Sequence, residues 1–102
     1  MDYIYIISNL NGFVKVGVSK NPIKRVKQLQ TGNGEKLKLI FTEEFECPRK
    51  HLLHIEKKIH QVLSSKCKKR QGEWFEISNE QLQSIKNTIV WHRIRYEDNP
   101  IY

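Results

Sequence analysis

The chain opens with two runs of β-branched and aromatic residues that turn-forming residues separate. Residues 3–7 are YIYII and residues 13–18 are FVKVGV, with SNLNG between them. This arrangement predicts an antiparallel β-hairpin. The simplest register opposes three pairs of residues, namely Ile7 with Phe13, Tyr5 with Lys15, and Tyr3 with Gly17. Because side chains alternate between the faces of a strand, one face is aliphatic and the other carries the tyrosines, the lysine and the glycine.

A helix and a third strand are predicted after the hairpin. Asn21 is a favourable N-cap and Pro22 suits the first helical position, so a helix is expected to run to about Thr31. Its narrow apolar stripe consists of Ile23, Val26 and Leu29. Residues 37–45 predict a strand in which Leu37, Leu39 and Phe41 alternate with polar residues and Ile40 breaks the alternation.

The second half of the chain predicts two more helices and a short strand. Pro48 can open a helix that lasts to about Ser65, with a buried stripe of Leu52, Ile55, Ile59, Val62 and Leu63. Residues 72–78, GEWFEIS, predict a short extended segment. Residues 78–81 form a capping box that starts a third helix. The inward residues of that helix are Leu82, Ile85 and Ile89, and the tail, residues 92–102, has no clear pattern.

The predicted order of elements is therefore β-β-α-β-α-β-α. An antiparallel hairpin opens the chain and later helices cover the sheet, so the fold class is α+β, with a small antiparallel sheet flanked by helices. A length of 102 residues favours one domain over residues 1–102, with a core of about residues 3–91.

Charge adds a first indication of function. The formal net charge is +7, which favours a polyanionic partner, nucleic acid before an acidic membrane. The alternative is that the excess serves only solubility. A run of four basic residues is compatible with contacts to phosphates or with a solvated loop, and it consists of Lys66, Lys68, Lys69 and Arg70.

The sequence favours an intracellular protein that is not bound to a membrane. No apolar run reaches the length of a membrane span, and residues 1–7 lack the features of a signal peptide. Cys47 and Cys67 can pair, but no other feature indicates secretion, so reduced thiols are expected. The expected location is the cytoplasm, or the nucleus or a viral factory if the host is eukaryotic.

The polar face of the hairpin carries the first candidate chemistry. In the simplest register the Cβ atoms of Tyr5 and Lys15 are about 5 Å apart. A lysine at that distance favours the phenolate and lowers the pKa of Tyr5, so the pair could act as a general base or bind a phosphate. The alternative is an ordinary amphipathic pair. In the same register, the missing side chain of Gly17 leaves space over Tyr3.

Two further candidates lie on the predicted helices. Glu56 and His60 are one turn apart and could hold a divalent ion or position water, or they could form a surface pair. Arg25 lies about 40° from Leu29 around its helix, at the edge of the buried face, where it could clamp a phosphate or cover the core with its stem. A zinc site is not favoured, because no common ligand spacing is present among Cys47, His51, His54 and Cys67.

Taken in order, these residues resemble the GIY-YIG nuclease superfamily over about residues 3–78. The first motif is Tyr3-Ile4-Tyr5 and the second is Lys15-Val16-Gly17, followed by Arg25 eight residues past the glycine and by Glu56 on a helix. GEWFEIS is also similar to the end of one branch, common in phages and large DNA viruses, whose second motif is typically K-I-G. The chain departs from the general pattern at Tyr3 and Lys15, and an asparagine of some members has only weak matches, Asn79 and Asn87.

The resemblance implies a metal-dependent endonuclease that hydrolyses the phosphodiester bonds of DNA. It makes Tyr5 the general base, helped by Lys15, and Arg25 the ligand of the scissile phosphate. It makes Glu56 the ligand of one Mg²⁺ or Mn²⁺ ion, with His60 assisting proton transfer or orienting Glu56. The residues expected to contact DNA are Lys20, Lys24, Lys27, Lys66, Lys68, Lys69 and Arg70.

Two other functions stay open at this point. The first is a nucleic-acid-binding domain of the same fold without catalytic activity. The second is a protein-interaction domain whose contact patch consists of Trp91, Tyr96 and Tyr102. For a nuclease of this size, sequence specificity would come from loops, the tail, a homodimer or a partner protein.

Overall fold

The computed structural model describes residues 1–67 and 73–98. Its elements follow the predicted order, so the α+β class with an antiparallel sheet is confirmed. The strands are β1 (Asp2–Ser8), β2 (Phe13–Ser19), β3 (Lys38–Phe45) and β4 (Phe75–Glu76). The helices are α1 (Pro22–Gln30), α2 (Arg49–Lys66) and α3 (Asn79–Asp98). The sheet order is β3-β1-β2-β4, and every pairing is antiparallel.

The register of the hairpin differs from the predicted one by two residues. Tyr5 opposes Gly17 and Ile7 opposes Lys15, so the predicted pairing of Tyr5 with Lys15 is wrong. The reason is the turn, where the backbone N–H of Asn9 donates to the carbonyl of Phe13 at 3.1 Å. The Asn9 side chain also accepts from the backbone N–H of Phe13 at 3.2 Å, which closes the loop over three residues instead of five. A shift of two residues leaves each side chain on its predicted face.

The aliphatic face of the hairpin packs under α2 and α3. Its central residues are fully or almost fully buried, namely Ile4, Ile6, Val14 and Val16. The helices contribute Leu52, Ile55, Ile59, Leu63, Ile85 and Ile89 to this core. Val62, which the pattern placed inward, is 42% exposed, because the buried stripe of α2 is narrower than predicted and ends at Leu63.

A smaller cluster covers the other face of the sheet. It is built on Tyr5, Ile7 and Leu37, with Val26 and Leu29 of α1 packed against it. Ile23, also predicted to be buried, is 62% exposed, because Pro22 is the buried residue of the first turn. The sheet therefore lies between α1 on one side and α2 with α3 on the other.

Strand β3 carries a bulge where its pattern breaks. Ile6 pairs with Phe41 and Ile7 pairs with Leu39, so Ile40 is an extra residue in the ladder. Leu37 and Leu39 consequently join the smaller cluster, whereas Phe41 packs against the main core. The irregular pattern at Ile40 was a correct indication, but the expectation that Phe41 shares a face with Leu39 was wrong.

Helix α3 begins at the predicted capping box and includes residues that the sequence left unassigned. The Ser78 hydroxyl accepts from the backbone N–H of Gln81 at 3.1 Å, and the Gln81 side chain accepts from the N–H of Ser78 at 2.9 Å. The helix continues through residues 92–98, which the sequence left unassigned, and His92 is buried in it. Residues 99–102 lie outside the described residues.

The fold bears on the pairing of the two cysteines and on the presence of a membrane-spanning helix. Helix α2 has 18 residues and is about 27 Å long, and Cys47 and Cys67 flank its two ends. A disulfide needs Cα atoms within about 7 Å, so these two cysteines of one chain do not pair. Within residues 1–67 and 73–98, no helix has the length and apolar character needed to cross a membrane.

Candidate active site

A polar cleft lies at the open edge of β2. Strand β4 pairs only with Phe13 and Val14, so it does not extend along the second half of β2. The cleft, of about 510 Å³, occupies this position and is bordered by residues of α1 and α2, which lie on opposite faces of the sheet. Its side chains comprise four cations, two carboxylates and one phenol, namely Lys15, Lys20, Arg25, Arg49, Glu56, Glu73 and Tyr5.

The phenol of Tyr5 fits into the cleft because residue 17 is glycine. Gly17 lies directly opposite Tyr5, and a Cβ atom at this position would overlap both the ring and the hydroxyl of the tyrosine. The Tyr5 ring therefore occupies the space beside Gly17. The predicted register had wrongly placed Tyr3 beside that space. Tyr3 instead donates its hydroxyl hydrogen to Glu44 at 2.6 Å.

The pKa of Tyr5 is raised above its usual value of 10.0, and burial is the main cause. Tyr5 is only 2% exposed. A hydrogen bond and the charge of Arg25 lower the pKa, whereas the charges of Glu56 and Glu73 raise it. The predicted lowering of this pKa by Lys15 is wrong, because Arg25 is the cation that acts on the phenol.

Lys15 lines the cleft but pairs with a different residue from the predicted one. Its ammonium lies 3.4 Å from a carboxylate oxygen of Glu73, which is the residue before Trp74 in the GEWFEIS segment. The lysine side chain is 16% exposed and the glutamate side chain is 57% exposed. This pair brings a second carboxylate to the cleft, which the sequence offered no pattern to predict.

Arg25 reaches the cleft from the first turn of α1. The side chain of Asn21 accepts from the N–H of Lys24 at 3.1 Å and caps the helix as predicted. Arg25 is half-buried and lies beside Tyr5, which agrees with its predicted place at the edge of the apolar stripe. Lys24 and Lys27 are exposed and do not line the cleft.

Glu56 enters the cleft from the middle of α2, and it is half-buried. Burial raises its pKa above the usual 4.5, and the charge of Glu73 raises it further. The charges of His60, Lys15 and Arg49 act in the opposite direction. A carboxylate that is partly desolvated and surrounded by cations is an anionic centre suited to a divalent ion or to a cationic partner.

His60 lies one turn beyond Glu56 but does not line the cleft. Its Nε2 atom is 2.8 Å from the backbone oxygen of Val16, and its ring meets Phe75 edge-on at 5.9 Å. Val16 lies on β2 beyond the pairing with β4, so the imidazole bonds a carbonyl at the open edge of the strand. This contact links α2 to β2 one turn from Glu56.

The remaining predicted DNA contacts are more dispersed. Lys20 lines the cleft with the catalytic candidates. Lys66 is exposed and lies ten residues after Glu56, about 15 Å along the helix axis. Lys68, Lys69 and Arg70 lie outside the described residues. Neither Asn79 nor Asn87 lines the cleft, and both are exposed on α3.

Comparison with known families identifies the domain. A profile of the T5orf172 domain matches residues 2–90. The chain belongs to the T5orf172 domain family. Members of this family are phage-associated, nuclease-like domains. No curated protein and no solved structure matches the chain. The matched range includes every residue that lines the cleft.

The donor set of this T5orf172 domain suits one hard divalent cation. The described residues contain no group of three or more histidine, cysteine or acidic side chains arranged to hold a metal. Two carboxylates line the open cleft, Glu56 from α2 and Glu73 from the segment before β4. Mg²⁺ is commonly held in this way, by one or two carboxylates, water and substrate phosphates.

Proposed function

We propose that this T5orf172 domain is a metal-dependent endonuclease of the GIY-YIG type, which hydrolyses phosphodiester bonds of DNA. One observation carries the proposal. A buried phenol, a guanidinium and a carboxylate, from β1, α1 and α2 respectively, meet in one cationic cleft. Such a set supplies a base, a phosphate ligand and a metal ligand, which are the groups that metal-dependent phosphodiester hydrolysis uses.

Tyr5 is proposed as the general base that removes a proton from the attacking water. Because the pKa of Tyr5 is raised, the phenol carries its proton at neutral pH, and only a small fraction is phenolate. That phenolate is correspondingly a stronger base. Arg25 favours the ionised form through its hydrogen bond and charge, so it supports the base as well as contacting the substrate.

Arg25 is proposed to bind the scissile phosphate. A guanidinium can donate two parallel hydrogen bonds to phosphate oxygens and can stabilise charge as it develops in the transition state. Lys15 and Lys20 also line the cleft and add positive potential there. Four cations and two carboxylates line the cleft, and Asp2 pairs with one of these cations, Arg49, so an excess of positive charge remains to favour a polyanion.

Glu56 is proposed to hold one Mg²⁺ or Mn²⁺ ion. Such an ion, when bound, would neutralise negative charge on the phosphate and on the departing oxygen. His60 would orient Glu56 through its contact with the backbone of Val16. Lys15 lines the cleft and pairs with Glu73. When DNA is bound, Lys15 would exchange this carboxylate for a phosphate of the substrate.

The proposal is tested by incubating the purified protein with supercoiled plasmid and with branched DNA. Nicking or linearisation is expected with Mg²⁺ or Mn²⁺ and not with chelator. Binding without cleavage under every condition would instead support an inactive nucleic-acid-binding domain. Binding whose strength is unchanged from low to high salt would contradict both nucleic-acid functions, because phosphate contacts release counterions. Light scattering on the same sample shows whether a homodimer supplies a second cleft.

Replacing Gly17 with alanine is expected to reduce cleavage by at least about 100-fold, because a shift of about 1 Å at a catalytic group has that effect. The added Cβ would overlap the Tyr5 ring and force it to move. Overpacking is also expected to lower the free energy of unfolding by about 1–3 kcal/mol. Gly34→Ala is the matched control, since nothing lies within 4 Å of a Cβ there. Plasmid-cleavage rates and thermal unfolding of both variants measure the two effects, and near-normal cleavage by Gly17→Ala would contradict this placement of Tyr5.

A further inference from the structure

We propose that Arg49 is a second phosphate-binding residue of the cleft, that it binds a backbone phosphate beside the scissile one, and that Asp2 holds it in position. This inference rests on the proposed nuclease function and extends it to the way the substrate strand is aligned. The observations behind it are the place of Arg49 on α2, its pairing with a buried carboxylate, and the exposure of its guanidinium.

Arg49 and Glu56 lie on the same side of α2. They are seven residues apart, so they are two turns apart and nearly aligned, with about 10 Å between them along the helix axis. Both line the cleft. Arg49 is therefore offset from Glu56 along the helix within the same cleft, which places it toward a neighbouring phosphate of the strand and not the one beside Glu56.

The Asp2 carboxylate holds the Arg49 guanidinium in position. Its carboxylate is 2.7 Å from Nη1 of Arg49, and its side chain is 9% exposed. A buried carboxylate requires such a partner, so the pair is held at the place where β1 and α2 both begin. An arginine whose rotamer is already fixed loses less conformational entropy when it binds a ligand.

The guanidinium still has donors for a ligand. The Arg49 side chain is 48% exposed, although it is ion-paired. Asp2 is its hydrogen-bonding partner within the described part of the chain, and that bond occupies one of five N–H donors. Because Arg49 lines the cleft and is partly exposed, these donors are available to a phosphate there.

Binding to a short duplex in the presence of chelator tests the inference without cleavage. Arg49→Ala is expected to weaken binding about tenfold and to reduce the slope of log K against log salt concentration by about one. Lys50→Ala is the matched control, because Lys50 is the next residue of α2, carries the same charge, is exposed and does not line the cleft. Equal losses in the two variants would overturn the inference. Absence of DNA binding by the wild-type protein would overturn the proposed function as well.

Two further measurements separate phosphate binding from a structural role. In a set of duplexes, one phosphate near the cut is replaced in turn by an uncharged methylphosphonate. The wild-type protein is expected to bind more weakly when the phosphate that Arg49 contacts is replaced. The affinity of Arg49→Ala should not change for that duplex. Asp2→Asn is expected to raise KM with little change in kcat. In the Arg49→Ala background, Asp2→Asn should restore thermal stability, because it removes the buried carboxylate left without its partner, but it should not restore affinity for DNA. The pair would be only structural if wild type and Arg49→Ala lost the same affinity at every methylphosphonate position. In that case the variants should also show thermal unfolding temperatures that fall in step with their affinity for DNA.

Discussion

Replacing Glu56 with glutamine is expected to reduce cleavage at least about 10³-fold and to remove the stabilisation of the fold by Mn²⁺. The substitution keeps the shape of the side chain but removes the charge that would hold the ion. Metal ions contribute several kcal/mol to the stabilisation of transition-state charge, and each 1.36 kcal/mol changes the rate about tenfold. Among the described residues, no third histidine, cysteine or acidic side chain joins Glu56 and Glu73 that could hold the ion when Glu56 is replaced.

Thermal unfolding with and without Mn²⁺ measures the ion separately from catalysis. At an ion concentration of 100 times Kd, the wild-type protein should be stabilised by about 2.7 kcal/mol and Glu56→Gln should not. Because burial raises the pKa of Glu56 and an ion binds only the ionised carboxylate, this stabilisation should grow as pH rises through that pKa. Glu46→Gln is the control, since Glu46 is exposed and outside the cleft. Full activity of Glu56→Gln would rule out its role as the metal ligand.

The faces of the hairpin strands could be predicted from the sequence, because periodicity determines them where no bulge interrupts the strand. Tyr5 and Lys15 lie on the polar face of the hairpin, and Arg25 lies at the edge of its helical stripe, as predicted. These assignments do not depend on register, since a shift of two residues preserves the face of every side chain. The local signals of Asn21 and Ser78 were equally reliable, because each cap is a contact within a few residues.

Contacts across the sheet could not be predicted in the same way. The register depends on how the Asn9 side chain closes the turn, which periodicity does not report. The pairing of Lys15 with Glu73 joins residues 58 positions apart, and that of Arg49 with Asp2 joins residues 47 apart. Neither contact leaves a repeating pattern, although the seven-residue spacing of Arg49 and Glu56 was a signal for their shared face.

The register itself has a consequence for the site. Only the observed pairing places Gly17, which has no side chain, opposite the Tyr5 ring. In the predicted register Lys15 would oppose the phenol, and its stem would compete with the ring for the same space. The turn at Asn9 therefore affects the chemistry of the cleft, because it sets which residue of β2 meets Tyr5.

Replacing Tyr5 with phenylalanine is expected to reduce cleavage by about 10²–10⁴-fold, the usual contribution of a general base. The ring stays in place over Gly17, so the fold and the affinity for DNA in chelator should change little. Tyr3→Phe is the matched control, because Tyr3 lies on the same strand face and bonds to Glu44 outside the cleft. In the Tyr5→Phe background, Gly17→Ala should cause little further loss of cleavage, since both changes act on the same hydroxyl.

The pH dependence of cleavage distinguishes a base from a hydroxyl that only binds. Because the pKa of Tyr5 is raised, the phenolate fraction keeps increasing beyond pH 10, so the wild-type rate should rise through the alkaline range without a plateau below that pH. Tyr5→Phe should lose this rise, whereas Tyr3→Phe should retain it. If the cleavage rates of wild type and Tyr5→Phe rose with pH at the same slope, hydroxide from solution, and not Tyr5, would be the base. In that case the hydroxyl would serve to position Arg25, with which it interacts in the cleft.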